Sequence, residues 1–302
     1  MPQVIAVWCE EEGHDVTFVC YTGFENLVEE LPDKVDLVFI GAFTEAAQLA
    51  YALSNMFRSK GAVTVIGGPH ARCYPQDALK YFDYVLGFTD KAVVSDILRD
   101  CSEHRPIGVH IAAKQQPAML PGVRERWKFI EPTLKKAPFI KMVPMIGSLG
   151  CPYTCSFCID SVVPYQPLDF DVIKEDLRFL LRKFKRPLVG WHDPNFGVRF
   201  NEVMGAIEEA APPDSIDFIA ESSLSLLSEP RLQASQTKWI QSAAARHRVV
   251  VRPRRQIEDW QDEGDGQGQA GFRTRQHDLE VHALHTNQLR AGTRRGRRSR
   301  TL

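Results

Sequence analysis

The sequence predicts an α/β protein, with a first parallel sheet of strand–helix units followed by a second, incomplete run of such units. Two observations carry this reading. Short apolar runs alternate with segments of helical periodicity from about residue 4 to residue 220, and the connections between them are short. A third observation sets a limit. Beyond about Pro230 the alternation stops, Lys238 is the sole lysine, and the chain ends in a run that includes Arg294-Arg295-Gly296-Arg297-Arg298. Residues 231–302 are therefore expected to be a disordered tail.

In order, Val4–Glu12 places apolar residues at helical spacing, and Gly13 follows as a C-terminal cap. Asp15–Cys20 reads as a short strand. Val35–Ile40 is a continuous apolar run between a charge and Gly41, the pattern of a strand buried on both faces. Ala47–Arg58 is a helix and Ala62–Ile66 the next strand, stopped by Gly67-Gly68-Pro69. Pro75–Tyr81 is helical, Tyr84–Leu86 a strand and Lys91–Arg99 a helix, so residues 1–100 form one domain. Residues 101–138 read as a linker, broken by Pro117, Pro121, Pro132 and Pro138, with one short helix near Arg124–Ile130.

The second run occupies residues 139–230. Lys141–Ile146 is its first strand. Asp169–Phe184 is an amphipathic helix with Val172, Leu177, Leu180, Leu181 and Phe184 as its packing stripe. Pro187–Trp191, Glu202–Ala210 and Ile216–Ala220 then supply strand, helix and strand.

Composition narrows the function classes. The formal net charge is −1 and 44% of residues are hydrophobic, which favours neither a nucleic acid nor a membrane as partner. No run approaches the roughly 20 apolar residues of a membrane span, so a cytoplasmic location is expected. Of seven cysteines, Cys9, Cys20, Cys73 and Cys101 stand apart and read as small buried hydrophobes. The other three crowd into Cys151-Pro152-Tyr153-Thr154-Cys155-Ser156-Phe157-Cys158, directly after Gly147-Ser148-Leu149-Gly150. Spacings of four and three let three thiolates converge from one loop, and thiolates are soft ligands suited to iron. A zinc site would want a fourth Cys or His nearby, and none follows before His192. In the first domain, ligands are expected beyond the carboxyl ends of the strands, at Gly41-Ala42-Phe43-Thr44, Gly67-Gly68-Pro69-His70 and Gly87-Phe88-Thr89.

The cysteine segment resembles the Cys-x3-Cys-x-aromatic-Cys signature of radical S-adenosylmethionine proteins. The resemblance implies a [4Fe–4S] cluster on Cys151, Cys155 and Cys158, with S-adenosylmethionine on the iron that lacks a protein ligand. An electron from the cluster would break the sulfonium bond and release a 5′-deoxyadenosyl radical. Phe157 would pack on the cluster. Asp193, Asn195 and Glu221, at the carboxyl ends of the second and third strands of a partial (β/α) barrel, would line the cofactor pocket. Val65-Ile66-Gly67-Gly68-Pro69-His70-Ala71 resembles the cobalamin-binding, Rossmann-type module that precedes many such proteins. That likeness implies that Gly41, Thr44, Gly67, Gly68 and His70 line a corrin. The Asp-x-His-x-x-Gly element of many cobalamin modules is absent, and the module's first strand, which would precede the opening helix, is not in the sequence.

The tail carries a further sign. Read from the second base of each codon, Arg246–Gln261 permits Gly-Ile-Glu-Ser-Trp-Tyr-Asp-Leu-Gly-Ala-Lys-Ser-Lys-Thr-Gly, which resembles the family's segment after the third strand. Applied to Thr286–Arg295, the same shift permits Gln-Thr-Asn-Phe-Val-Leu-Gly-Leu-Asp, a barrel-like strand. A single frameshift between about Pro230 and Lys238 is expected. The function implied for the intact parent is cobalamin-dependent methyl transfer or rearrangement on a small, natural-product-type molecule, with a flavodoxin or ferredoxin-type electron donor. The alternatives are a radical enzyme whose first domain no longer binds cobalamin, and a non-catalytic fragment.

Overall fold

A sheet of four parallel strands organises the first half of the chain: β1 (Leu37–Gly41), β2 (Val63–Gly67), β3 (Tyr84–Leu86) and β4 (Val109–Ile111), in the spatial order β1-β2-β3-β4. The computed structural model describes residues 2–23, 25–103, 108–113, 115–136, 141–223 and 226. The expected tail, residues 231–302, lies outside the described residues. Register is set by full pairing of β1 with β2, from Leu37↔Val63 to Gly41↔Gly67.

Both faces of this sheet are covered, as parallel strands require. Successive side chains alternate between the faces. Ile66 and Val85 point into a cluster with Tyr51 and Phe82, while Val63, Val65, Tyr84 and Leu86 meet Val93 and Ile97. The covering helices are α1 (Pro2–Glu11), α3 (Ala47–Ser59), the short α4 (Pro69–Cys73) and α5 (Pro75–Ala78), and α6 (Lys91–Glu103), while the single turn α2 (Leu27–Glu30) buries no residue.

One expected strand is not formed. Asp15–Cys20 joins no ladder. Its alternate residues Val16 and Phe18 pack instead against Ala6 and Val7 of α1 and against Phe129, so helices rather than a neighbouring strand satisfy its apolar face.

The expected short helix near residue 124 is a 14-residue helix, α7 (Val123–Lys136), which continues through Pro132. A proline inside a helix forfeits one backbone bond. Here Val123, Ile130 and Leu134, all buried, pack along the second core, and that contact outweighs the break. Phe129, on the same helix, packs against Ala6 and Val7.

The second sheet consists of β5 (Met142–Met145), β8 (Leu188–Trp191) and β9 (Asp217–Ala220), and a separate two-stranded neck, β6 (Ser148–Leu149) with β7 (Gln166–Pro167), lies between β5 and β8 in the chain. β5, β8 and β9 are parallel in that order, and α8 (Phe170–Lys183) and α9 (Phe200–Ala210) cover them. These three strands are what the described residues contain of the expected barrel. The buried stripe of α8 is Ile173, Asp176, Leu177 and Leu180, one position removed from the expected one at its start, and Phe184 lies outside it. Asp169 caps the helix, accepting from the Asp171 N–H at 2.8 Å, and the helix starts at Phe170. No helix among the described residues is long and apolar enough to cross a membrane.

Candidate functional site

The three clustered cysteines sit on a loop with a closed neck. After β5 the chain turns at Gly147 and enters the antiparallel β6–β7 pair, Ser148↔Pro167 and Leu149↔Gln166, which encloses residues 150–165. At the neck Gly150 has φ +67°, and a Cβ there would overlap the Pro164 carbonyl oxygen. Only glycine meets both demands.

Cys151, Cys155 and Cys158 are half-buried and in no disulfide, and the Cys158 N–H donates to the Cys155 carbonyl at 3.0 Å. Phe157 is 48% exposed between the second and third thiols. No three Cys, His, Asp or Glu side chains among the described residues are arranged to hold a metal ion. The donor set nonetheless fits an iron–sulfur cluster with three protein ligands: three soft thiols on one anchored loop, none in a disulfide. The end of this loop meets the first half of the molecule, where Arg72 of α4 pairs with Asp160 at 3.5 Å.

The strand ends beside the loop divide into buried and outward-facing groups. Asp193, directly beyond β8, is buried and accepts from the Gly147 N–H at 2.8 Å and the Ser148 hydroxyl at 2.7 Å. Burial pushes its pKa above the ordinary carboxylate range, and these donors oppose the shift. Asn195 is also buried. Its carbonyl oxygen accepts from the Ser222 hydroxyl at 3.0 Å and the Ser223 N–H at 3.2 Å, and its amide donates to the Ser223 hydroxyl at 3.2 Å. Asn195 therefore ties the end of β8 to the end of β9. Glu221 is exposed there, and so is His192, whose pKa is lowered by loss of hydration and partly restored by the Glu221 charge.

In the first sheet the glycine turns are stitched together. Ala42 N–H donates to the Gly67 carbonyl at 3.2 Å and His70 N–H to the Ala42 carbonyl at 3.1 Å. Gly68, at φ +92°, would bring a Cβ within 3.0 Å of the Ala42 oxygen, so this close approach is what requires glycine. Gly41 and Thr44 are exposed and Gly67 half-buried at the strand ends. Thr44 lies inside a 3₁₀ turn, Thr44–Ala46, that has no side-chain cap.

His70 is only 4% exposed. Its Nε2 lies 2.6 Å from the Tyr51 hydroxyl, which donates to Asp77 Oδ2 at 2.8 Å. A hydroxyl has one proton, and here the carboxylate takes it, so His70 Nε2 is the donor in its pair. Nδ1 then keeps a lone pair, buried and without a partner among the described residues.

Sequence reasoning placed the cysteines, Asp193, Asn195 and Glu221 around one region. It missed Ser222 and Ser223 as partners of Asn195, although their position at the end of a strand signalled it. It also missed Arg199, which donates to the Leu168 carbonyl at 3.1 Å, reaches the Gly147 carbonyl at 3.5 Å and stacks 3.9 Å over the Phe170 ring. Nothing local in the sequence marks that role.

No protein-family model matches the chain. Among curated proteins it is similar to a bacteriochlorophyllide d C-8(2)-methyltransferase of Chlorobaculum tepidum, at 23% identity over 68% of this chain and 49% of the relative. It is also similar to a bacteriochlorophyllide d C-12(1)-methyltransferase of the same organism, at 21% identity over 72% of this chain and 48% of the relative. The chain spans about half the length of the curated relatives it matches.

Proposed function

We propose that this chain is part of a radical S-adenosylmethionine enzyme that transfers a methyl group with the help of cobalamin. The observation that carries the reading is the loop of three half-buried cysteines, none in a disulfide, closed at its neck and placed at the carboxyl end of a parallel strand. Cys151, Cys155 and Cys158 would hold a [4Fe–4S] cluster. When bound, the cluster supplies the electron for reductive cleavage of S-adenosylmethionine.

The protein's own part is to bind and orient. The thiolates of the loop are the ligands, and Phe157 offers an exposed aromatic face between two of them. Asn195 holds the ends of β8 and β9 together. His192 and Glu221 are the ionisable groups left facing outward there, and they offer a proton acceptor and a carboxylate to a bound ligand.

Residues 1–100 would be the cobalamin-binding domain, joined through residues 101–138 to the partial barrel of residues 139–230. The turns at exposed Gly41, Thr44 and Gly68 and half-buried Gly67 offer backbone and hydroxyl groups to the corrin. The names of the two relatives support methyl transfer as the reaction. The substrate would be a small, natural-product-type molecule and the reductant a flavodoxin or ferredoxin-type protein in the cytoplasm, with neither membrane nor nucleic acid engaged.

A second reading, a radical enzyme without cobalamin, is favoured by the burial of His70 and its bond to Tyr51. Corrin content after purification with cobalamin present separates the two.

The cluster reading is tested by anaerobic reconstitution of the full chain. The wild type should take up iron and sulfide and form 5′-deoxyadenosine from S-adenosylmethionine under reduction, and Cys155→Ser should do neither. Equal iron and sulfide in the two proteins would sink the assignment.

A further inference from the structure

A carboxylate buried away from water is costly unless donors surround it. Asp193 is 5% exposed, and its two oxygens are taken by two donors from a single place, the neck of the cysteine loop. Gly147 N–H donates to Oδ2 and the Ser148 hydroxyl to Oδ1, at 2.8 and 2.7 Å. The fit is close, because a Cβ on Gly147 would stand 3.3 Å from Oδ1. Gly147 is also held from its carbonyl side, by the Leu168 N–H at 2.9 Å and by Arg199 at 3.5 Å.

We propose that Asp193 is a positioning residue: its carboxylate fixes the turn that carries the chain from β5 into the cysteine loop, and it does not contact the ligand itself. The inference rests on the cluster reading above and changes the part Asp193 plays in it. Each oxygen already accepts one bond from the neck, and at 5% exposure the carboxylate presents little surface to a ligand. The bond joins the end of β8 to the end of β5, which makes the placement of the loop depend on the order of the second sheet.

The test compares Asp193→Ala, Asp193→Asn and Ser148→Ala in the full chain after anaerobic reconstitution. Asparagine can accept from Gly147 N–H and donate to the Ser148 oxygen, so it keeps the geometry without the charge. The readouts are release of iron to a chelator and the electron paramagnetic resonance signal of the reduced protein with and without S-adenosylmethionine. Hydrogen bonds to a charged group are among the stronger ones, and the alanine variant is expected to release iron about tenfold or more faster than wild type. The asparagine variant should stay close to wild type and keep the spectral change on adding S-adenosylmethionine.

Wild-type iron release from Asp193→Ala overturns the proposal. So does an asparagine variant that holds iron normally but loses the response to S-adenosylmethionine, because that pattern marks a contact residue. If the alanine variant does not fold, Ser148→Ala decides, with several-fold faster release expected and a wild-type rate overturning it. A wild-type chain that takes up no iron sinks the cluster reading instead. The clamp is then read from limited proteolysis of residues 150–165, faster in Ser148→Ala if the clamp exists and unchanged if it does not.

Discussion

The carboxylate of Asp176, in the middle of α8, accepts from the backbone N–H of Val123 at 2.7 Å and so caps the start of α7 from another helix. The cap costs a buried charge, and desolvation raises the Asp176 pKa to about 6. Arg126, itself buried, draws it down only in part.

A pH dependence follows. The folded pKa lies above the unfolded one, so between about pH 4 and pH 6 the native state binds the proton more tightly. The contribution of Asp176 to stability is therefore greatest below pH 4, declines as pH rises to about 6 and is flat above. Urea unfolding across that range should show the decline, up to about 3 kcal/mol for a shift of two units. Asp176→Asn, which keeps an acceptor for Val123, should flatten it.

Gly150→Ala should damage the loop neck. The substitution demands a left-handed backbone from alanine and forces a Cβ onto the Pro164 carbonyl. A loss of about 1–3 kcal/mol is expected, read as a lower unfolding midpoint. The same variant should show faster thiol labelling at Cys151 and Cys158 without metal. Unchanged labelling would mean that the neck does not restrain the loop.

Tyr51→Phe removes the acceptor of His70 Nε2 and, among the described residues, leaves the buried imidazole without a hydrogen-bond partner. The expected cost is about 1–3 kcal/mol, measured by denaturant titration of variant and wild type. A neutral result would show that a water replaces the hydroxyl.

Thiol chemistry should separate the cysteines into classes. Cys9 is buried among Val4, Trp8 and Val94, and burial lifts its pKa to about 11. Burial lifts Cys101 to about 11 as well. At pH 8 both should alkylate far more slowly than exposed Cys73 or the half-buried loop thiols, as mass spectrometry of the intact metal-free chain would show.

All strands of the two parallel sheets but β4 were legible in the sequence as short apolar runs; β4 (Val109–Ile111) lies within residues 101–138, read as a linker, and shows as a strand only through its pairing with β3. Val63–Gly67 and Tyr84–Leu86 need no knowledge of their neighbours. Asp15–Cys20 looked like a strand because local propensity cannot say whether a partner is available. α7 was underestimated because Pro132 is a local signal against helix, whereas the contacts of Ile130 and Leu134 that overrule it come from residues far along the chain. The site shows the same division. The cysteine spacing is a local pattern, but the bond between Asp193 and Gly147 joins residues 46 positions apart, which no local pattern shows.

The packing of Phe129 against Ala6 and Val7 also bears on how the protein is made. The apolar side of α1 leaves the ribosome early, while Phe129 follows roughly 120 residues later, on the order of ten seconds at ordinary rates of synthesis. During that interval the opening helix has only part of its cover. Until Phe129 arrives, that apolar face is open to a chaperone.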